Sequence, residues 1–354
     1  MIVCMIIYRD EKFGFFELFN EKNGTLIRGD VAGEDPIMRS FPELLDVGIM
    51  GHCDFGEYCS NAGVDCYQQG QSIKKPHMAL EDFETIVTEA DGKTFQIALG
   101  GAGDPNKHPD FEKMLLLCRQ HNIVPNITTS GYAISEHEIE IMNKYCGAVA
   151  VSWYSRLING QENNLMTVMT TRELIDKGII TNIHYVVSKQ TLLEAITRLE
   201  NDMFPSGINA VVFILYKPVG YGRHDKVLTL DESDDLKHFF ELVSRKHPYQ
   251  IGFDTCFTPA IVRWGKCIAE QSIDACEAAL FSMYIDSQMN CFPCSFGIWS
   301  HSEPETLKDK SIREVWEGSQ FNYFRSIQKN KCSICSNNIV CRTGCRLGLN
   351  IDLC

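Results

Sequence analysis

Residues 46–70 read DVGIMGHCDFGEYCSNAGVDCYQQG and join a short apolar run to a glycine-dotted loop. The loop holds three cysteines, Cys53, Cys59 and Cys66, which is an odd number for a set of disulfides. A structural zinc ion usually takes four protein ligands, so three thiols leave one coordination position open. The stretch therefore predicts a strand followed by a metal-binding loop that keeps one position for a group from outside the protein.

Similar apolar runs recur along the chain and predict parallel strands with helices between them. They cover residues 46–51, 94–101, 122–131, 148–154, 179–188 and 208–216. Capping boxes are expected at Ser135 with Glu138, Thr170 with Glu173 and Ser311 with Glu314. Strands that alternate with helices form a parallel sheet, and functional residues lie at the carboxyl ends of its strands. The expected fold class is α/β, as a partial (β/α)6 barrel or an open doubly wound sheet.

The two ends of the chain differ from this middle part. Residues 2–8 and 13–19 predict two strands joined by a charged turn, and Asn23-Gly24 marks a second turn. After about residue 245 the segments are short, turn-rich and dense in cysteine, although IGFDTC (251–256) predicts one further strand. We therefore divide the chain into an N-terminal hairpin region (1–41), a barrel (42–245) and a cysteine-rich domain (246–354).

Composition limits the function classes. The formal net charge of −13 argues against broad nucleic-acid binding, which needs a clustered basic face. No run approaches the 18 or more apolar residues of a membrane span, and no signal peptide is visible, so we expect a cytoplasmic protein. In that reducing compartment, the 16 cysteines indicate metal or redox ligands more readily than disulfides. Cys4, Cys118 and Cys146 lie in apolar contexts and are expected to be small buried hydrophobes.

The last 23 residues, CSICSNNIVCRTGCRLGLNIDLC (332–354), have the spacing C-x2-C-x5-C-x3-C-x8-C. Five thiols so close together can direct several sulfurs at one metal centre. Iron–sulfur ligation is favoured, with two zinc knuckles or unliganded cysteines as alternatives. Five more cysteines precede this tail, at Cys256, Cys267, Cys276, Cys291 and Cys294. Ten cysteines in all are enough for two four-thiolate clusters.

The spacing of the tail resembles that of radical S-adenosylmethionine (radical SAM) enzymes with a C-terminal SPASM domain, a module with two auxiliary iron–sulfur clusters. The resemblance covers about Pro42 to Cys354 and implies a partial barrel followed by that domain. It also implies SAM and three 4Fe–4S clusters as cofactors. Cys53, Cys59 and Cys66 would hold the first cluster, whose fourth iron binds the amino and carboxylate groups of SAM. Their spacing here is C-x5-C-x6-C, whereas C-x3-C-x2-C is usual in the family.

The resemblance also implies an interleaved set of ligands for the two auxiliary clusters. Auxiliary cluster I would be held by Cys256, Cys276, Cys294 and Cys345. Auxiliary cluster II would be held by Cys332, Cys335, Cys341 and Cys354. Cys267 and Cys291 stay open as alternatives to Cys256 and Cys294, because Met289 stands where the family usually has a glycine.

The second strand ends in ALGGAGDPNKHPDF (98–111), which resembles the GGEP loop of the family. Gly100 and Gly101 allow close backbone approach, so that carbonyls can accept hydrogen bonds from the SAM ammonium. Ala102-Gly103 is inserted before the position of the acid in that loop, and Asp104, which follows the insertion, is a candidate partner of the ammonium.

Other candidate SAM contacts follow the cysteine loop and the next two strands. Tyr67 is expected to pack near the adenine. Thr129, Ser130 and Ser152 are expected to bind the ribose or the carboxylate, and the alternative is that these hydroxyls bind only local backbone.

Many enzymes of this kind modify ribosomally made peptides, so the resemblance implies a peptide substrate and a reductase partner such as flavodoxin or ferredoxin. Ser295 follows Cys294 where sulfatase-modifying members tend to have an aspartate, which makes that reaction less favoured. The alternatives are an oxidoreductase acting on a small molecule or cofactor precursor, and an electron-transfer or zinc-stabilised module without SAM chemistry. No catalytic acid or base can be assigned. The cavity-lining candidates are Trp153, Asn182, His184, Tyr216 and Lys217.

Overall fold

The computed structural model describes residues 5–299 and 303–354, so Cys4 and the first residues of the first predicted strand lie outside it. The strands are β1 (Met5–Asp10), β2 (Phe15–Asn20), β3 (Leu26–Asp30), β4 (Leu44–Met50), β5 (Gln96–Gly101), β6 (Val124–Thr129), β7 (Val149–Ser152), β8 (Leu157–Ile158), β9 (Gln161–Glu162), β10 (Thr181–Val187), β11 (Ala210–Leu215), β12 (Gln250–Phe253), β13 (Ser282–Ile285), β14 (Asn290–Phe292) and β15 (Glu305–Thr306). The helices are α1 (Gly56–Asn61), α2 (Leu80–Ala90), α3 (Phe111–Gln120), α4 (Glu136–Tyr145), α5 (Leu165–Asp176), α6 (Leu192–Glu200), α7 (Ser233–Val243), α8 (Thr258–Trp264), α9 (Ile312–Trp316), α10 (Ser319–Ser326) and α11 (Asn338–Cys341).

A large sheet forms the body of the protein, in the order β12-β11-β10-β7-β6-β5-β4-β13-β14-β15. Within this sheet, the neighbouring strands β4, β5, β6, β7, β10, β11 and β12 are parallel, and helices lie between most of them along the chain. β8 and β9 form a separate antiparallel pair. All six predicted strands are present, and the further strand predicted at 251–256 is β12. The α/β partial barrel is therefore confirmed. β13, from the cysteine-rich region, pairs in parallel with β4 and extends the sheet.

The two faces of this sheet differ in composition. One face carries large apolar side chains that are almost fully buried under the helices, among them Val47, Ile97, Ile127, Val149 and Ile183. The alternate residues face the inner side and are small or polar. Those on neighbouring strands are register partners of one another. They are Asp46, Ala98, Asn126, Ala150, Asn182 and His184. The strands thus alternate, where the sequence suggested nearly continuous apolar runs.

A separate three-stranded antiparallel sheet, β1-β2-β3, precedes the barrel. The prediction of a hairpin with a second turn at Asn23-Gly24 is confirmed, but it missed β3. Glu21, Asn23 and Gly24 line the wall of a polar cavity of about 270 Å³ that the inner side of the sheet also lines. The small sheet therefore lies at the amino ends of the barrel strands, opposite their carboxyl ends.

Arg28 on β3 ties this small sheet to the rest of the chain. Its guanidinium binds Glu43 through two nitrogens, at 3.1 and 2.7 Å. It also binds Glu277 at 2.6 Å and Asp274 at 3.0 Å, both in the cysteine-rich region. One nearly buried cation thus joins the three parts of the chain.

Helix starts follow local capping chemistry in two of the three predicted places. Ser135 and Ser311 form capping boxes with Glu138 and Glu314, as predicted. The predicted box at Thr170 with Glu173 is wrong, because α5 begins earlier and Asn164 accepts the capping bond from the backbone of Thr167. Within the described residues, no helix is long and apolar enough to cross a membrane.

Candidate functional site

The cysteine loop leaves β4 at its carboxyl end, as expected. The backbone N–H of Cys53 donates to the carbonyl of Gly70 at 2.9 Å, which closes the loop at its base. Cys59 lies on α1, a short helix where the sequence suggested only a loop. The thiols of Cys53, Cys59 and Cys66 lie close enough to influence one another electrostatically, and none forms a disulfide. The structure thus brings the three predicted thiols together.

Burial favours the protonated form of two of these thiols, Cys59 and Cys53. It raises the pKa of Cys59 to about 12, and the nearby Asp104 carboxylate and the other two thiols add to the shift. It also raises the pKa of Cys53. A thiol with a raised pKa stays protonated at neutral pH unless a metal displaces the proton. These cysteines are therefore suited to bind metal as a group rather than to act as free nucleophiles.

Two close approaches of backbone hold the loop in place. A Cβ on Gly70 would lie 1.7 Å from the carbonyl oxygen of Ala102, so only glycine fits there. Gly220, after β11, has φ of +63°, and a Cβ on it would lie 2.3 Å from the carbonyl oxygen of Tyr67. The loops after β5 and β11 thus press directly against the cysteine loop.

The Gly-Gly end of β5 lies beside the thiols. A Cβ on Gly100 would meet no atom within 4 Å, so that side of the strand faces open space. Asp104 follows, and its carboxylate accepts hydrogen bonds from the Ser130 backbone at 2.9 Å, the Ser130 hydroxyl at 2.6 Å and the Thr129 hydroxyl at 3.2 Å. Thr129 and Ser130 therefore bind Asp104 and hold its carboxylate toward the cysteine loop.

The next strand end contributes Ser152 and its neighbours. Tyr154 is close to both Ser152 and Cys59, near enough for each to act on the pKa of its neighbour. His184 on β10 is the register partner of Ser152, and burial lowers its pKa to about 4. His184 is thus a neutral imidazole at physiological pH.

Tyr67 lies between the cysteine loop and the cysteine-rich region. Its ring packs on Phe296 with centroids 4.8 Å apart, and its carbonyl accepts a 2.7 Å hydrogen bond from the indole N–H of Trp299. Burial raises the pKa of its phenol, with further contributions from Asp46 and the thiol of Cys66. The phenol therefore points toward the inner side of the sheet, near the junction of the two regions.

Four cysteines far apart in sequence come together below this junction. Burial raises the pKa of Cys294 to about 12, and Cys276 and Cys345 add to the shift. Burial also raises the pKa of the Cys256 thiol, which is close to Cys276 and Cys294. We call Cys256, Cys276, Cys294 and Cys345 site I. It contains the four cysteines expected for auxiliary cluster I.

The two alternatives considered for that set lie elsewhere. Cys267 is exposed on the surface. Cys291 is buried on β14, where Asp286 and Glu305 are the nearest charges acting on its thiol. Neither faces the other thiols of site I.

Most of the C-terminal cysteines form a second group. Burial raises the pKa of Cys341 to about 11, with Cys354, Asp352 and Cys332 adding to the shift. Cys335 is exposed and lies one turn after Cys332, whose carbonyl accepts its backbone N–H at 3.2 Å. We call Cys332, Cys335, Cys341 and Cys354 site II, the set expected for auxiliary cluster II; the structure brings the thiols of Cys332, Cys341 and Cys354 near one another.

The donor sets fit iron–sulfur clusters better than single ions. All cysteines in residues 5–299 and 303–354 are free thiols. In that same part of the chain, no three His, Cys, Asp or Glu side chains converge closely enough to hold one ion, as a zinc site requires. A four-iron cube is larger, so its thiolates stand further apart. Beside Cys276, the buried Nε and Nη1 atoms of Arg346 have no hydrogen-bond partner among the described residues, which suits a neighbouring anionic cluster.

Several residues around these sites gave no signal in the sequence. Asp65 accepts hydrogen bonds from the Tyr216 hydroxyl at 2.7 Å and from the Lys226 ammonium at 2.6 Å. This triad fastens the cysteine loop to the segment after β11. Of the cavity-lining candidates, Tyr216 and Trp153 both line a small cavity of about 100 Å³ beside the loop.

Asp46 is a further residue that the sequence did not indicate. It lies on β4 beside Ala98 of β5 and Tyr284 of β13. Burial raises the pKa of its carboxyl to about 7, and a hydrogen bond with Ser295 lowers it in part. An inward-facing carboxyl with this pKa can take up or release a proton near neutral pH. Only strand register, which sequence alone does not give, would have revealed it.

Comparisons with known proteins show the fold. The sequence matches no family model and no curated protein. SuiB of Streptococcus suis bound to S-adenosylmethionine matches with a TM-score of 0.72 and 18% identity, covering 96% of this chain and 94% of SuiB. SuiB bound to precursor peptide SuiA gives 0.71 over the same shares of both chains, again at 18% identity. For anSMEcpe with bound S-adenosylmethionine and Cp18Cys peptide, the TM-score is 0.60 at 17% identity, covering 86% of this chain and 89% of that one.

The structural match thus extends over nearly the full chain, to radical SAM enzymes with a SPASM region. This chain has their fold, a partial barrel followed by a cysteine-rich region.

Proposed function

We propose that this protein is a radical SAM enzyme that modifies a peptide. The observation that carries the proposal is the convergence of Cys53, Cys59 and Cys66, as free thiols, beside the open Gly-Gly end of β5. Three thiols together at the carboxyl end of the first barrel strand can hold a cluster and leave one iron free. That arrangement suits a cofactor that is to bind a second ligand.

When bound, such a cluster with SAM supplies an electron that breaks the S–C5′ bond and yields a 5′-deoxyadenosyl radical. The role of the chain is to position these groups and to exclude water. The three thiols give up their protons on binding iron, against the burial that raises the pKa of Cys53 and Cys59. Gly100 leaves room for SAM. Asp104, held by Thr129 and Ser130, presents a carboxylate that suits the SAM ammonium.

We further propose that site I and site II hold auxiliary clusters I and II, with the ligand sets defined above. These clusters would supply an acceptor for the electron released when a substrate radical becomes product. Tyr67, Phe296 and Trp299 pack against one another between the cysteine loop and site I. We also propose a flavodoxin or ferredoxin as the electron donor, in a cytoplasm that protects the clusters from oxygen.

The peptide as substrate rests on the fold comparison. SuiB and anSMEcpe are both known in complex with peptides. Asp46 lies on the inner side of the sheet near Ser295 and supplies a proton-accepting group close to the position where the sequence lacks an aspartate. The cavity of about 100 Å³ beside the cysteine loop lies at the same end of the barrel as the three thiols and has room for a small group. It keeps a small-molecule substrate as the second candidate.

The radical SAM proposal is tested with protein purified without oxygen. Iron and sulfide should be present, and reduction with dithionite in the presence of SAM should release 5′-deoxyadenosine. The variant with Cys53, Cys59 and Cys66 all changed to alanine should release none. A matched control changes Cys118 and Cys146, which lie in helical packing away from the sites, and should keep the activity. Release of 5′-deoxyadenosine by the triple variant would refute the assignment of the loop.

The choice of substrate needs a separate measurement. Peptides encoded beside the gene should lose two hydrogens on turnover, detected by mass spectrometry, and should bind the purified protein. If no such peptide binds or changes mass while SAM is still cleaved, the small-molecule candidate replaces the peptide.

A further inference from the structure

Site I is flanked by a buried ammonium. Lys217, directly after β11, has a side chain that is only 3% exposed and forms an ion pair with Asp254. Its ammonium lies 4.7 Å from the centre of the Phe296 ring. The same charge acts on the thiols of Cys256 and Cys294. Lys217 thus brings a positive charge to two of the four thiols in a setting with little water.

A guanidinium flanks the site as well. Arg346 follows Cys345 directly; burial raises the pKa of the Cys276 thiol, and the positive charge of Arg346 opposes that rise. Its buried Nε and Nη1 atoms lack a hydrogen-bond partner within the described part of the chain. Buried donors are normally satisfied, so these two point to a negatively charged neighbour. Between them, the two cations act on three of the four thiols.

Site II also has an ion pair beside it, but its cations are more exposed. Asp352, with a side chain 8% exposed, contributes a negative charge near Cys341 and binds Lys329. The cation that contacts a thiol there is Lys331, 3.5 Å from Cys354, but its side chain is 55% exposed. Water screens an exposed charge far more than a buried one. The two sites therefore differ in electrostatic environment.

We propose that Lys217 and Arg346 set the reduction potential of the cluster at site I and make that cluster easier to reduce than the one at site II. This inference rests on the proposed function. One electron added to the cluster adds one negative charge among the four sulfurs, and no proton need follow it. A nearby cation in a poorly screened environment stabilises that extra charge. Lys217 and Arg346 act through the cluster and are positioning residues, not catalytic ones.

The test is a reductive titration followed by electron paramagnetic resonance, with titanium(III) citrate as reductant. The Cys256→Ala variant identifies which signal belongs to site I. Lys217→Met should lower the equilibrium constant for one-electron reduction of that cluster about tenfold or more. A tenfold change corresponds to a reduction potential lower by about 59 mV. Lys217→Arg keeps the charge and should stay within about threefold of the parent.

Two further variants, whose expected effects on the equilibrium constant are opposite, complete the test. Asp254→Asn leaves the ammonium uncompensated and should raise the same equilibrium constant, while Arg346→Gln should lower it. Lys331→Met is the matched control and should leave the site I signal unchanged. If Lys217→Met does not assemble the cluster, Asp254→Asn and Arg346→Gln decide the outcome.

Different failures point to different errors. An equilibrium constant unchanged by these variants, in protein that keeps its full iron content, would overturn the inference alone. Parent protein without iron or sulfide would overturn the proposed function instead.

Discussion

Replacing Asp46 with asparagine is expected to stabilise the protein above neutral pH, although it alters a residue on the inner side of the barrel. In the folded chain, burial raises the pKa of Asp46 to about 7. Because the pKa of Asp46 is higher in the folded than in the unfolded chain, its contribution to the stability of the fold is fully present at pH values below the pKa of the unfolded aspartate. It is then lost as the pH rises through about 7. Asparagine has no proton to lose and avoids that loss.

The size of the effect follows from the difference between the two pKa values. An aspartate in an unfolded chain has a pKa of about 3.9, and each unit of difference corresponds to about 1.4 kcal/mol. The free energy lost above pH 7 is therefore at most about 4 kcal/mol. Asp46 is partly accessible, so water screens part of this cost and we expect about 2 kcal/mol. At pH 5 the expected difference is about a third of that value.

The assay compares apparent melting temperatures of Asp46→Asn and parent protein, measured without oxygen from pH 5 to pH 8.5 at matched iron content. The difference should be small at pH 5 and reach a few degrees in favour of the variant at pH 8. Asp110→Asn is the control, because Asp110 is on the surface and its pKa is lowered by Lys113. Its difference from the parent should not vary across this range. A difference for Asp46→Asn that is flat, or that favours the parent at high pH, would refute the reasoning.

Three further outcomes are expected. Arg28→Met leaves buried carboxylates without a partner and should lower the free energy of unfolding by about 3 kcal/mol, measured by denaturant titration; a loss below about 1 kcal/mol would contradict the role given to this cation. Gly220→Val forces a Cβ onto the Tyr67 carbonyl and should reduce SAM cleavage at least tenfold. The rate is measured as 5′-deoxyadenosine formed per minute, and an unchanged rate would show that the contact is not needed. Cys256→Ala should remove about one third of the bound iron and Cys267→Ala none, and the reverse result would exchange their roles.

The parts of the fold that depend on local sequence were predictable. The six barrel strands follow from apolar runs, and two capping boxes follow from a serine three residues before a glutamate. The box at Thr170 was wrong because the same pattern can fall inside a helix, where tertiary packing sets the true start at Asn164. β3 was missed because only its pairing with β2 reveals it as a strand.

The sequence indicates the candidate cysteines but not their surroundings. The cysteines are a rare residue type in a regular spacing, so the pattern alone brings them to notice. Lys217, Arg346 and Asp46 are ordinary residues whose importance comes from what lies beside them in space. Their neighbours are far away along the chain, and neither propensity nor periodicity gives such long-range contacts.

The parallel pairing of β13 with β4 has a consequence for how the protein is made. Met283 must reach Leu45, yet it leaves the ribosome on the order of ten seconds or more later. Until then, one side of β4 is an open edge that can pair with another chain. A shortened version ending near residue 245 would keep that edge open permanently, and we expect it to aggregate. Cells would therefore obtain more folded protein from slow synthesis, with chaperones present, than from strong induction.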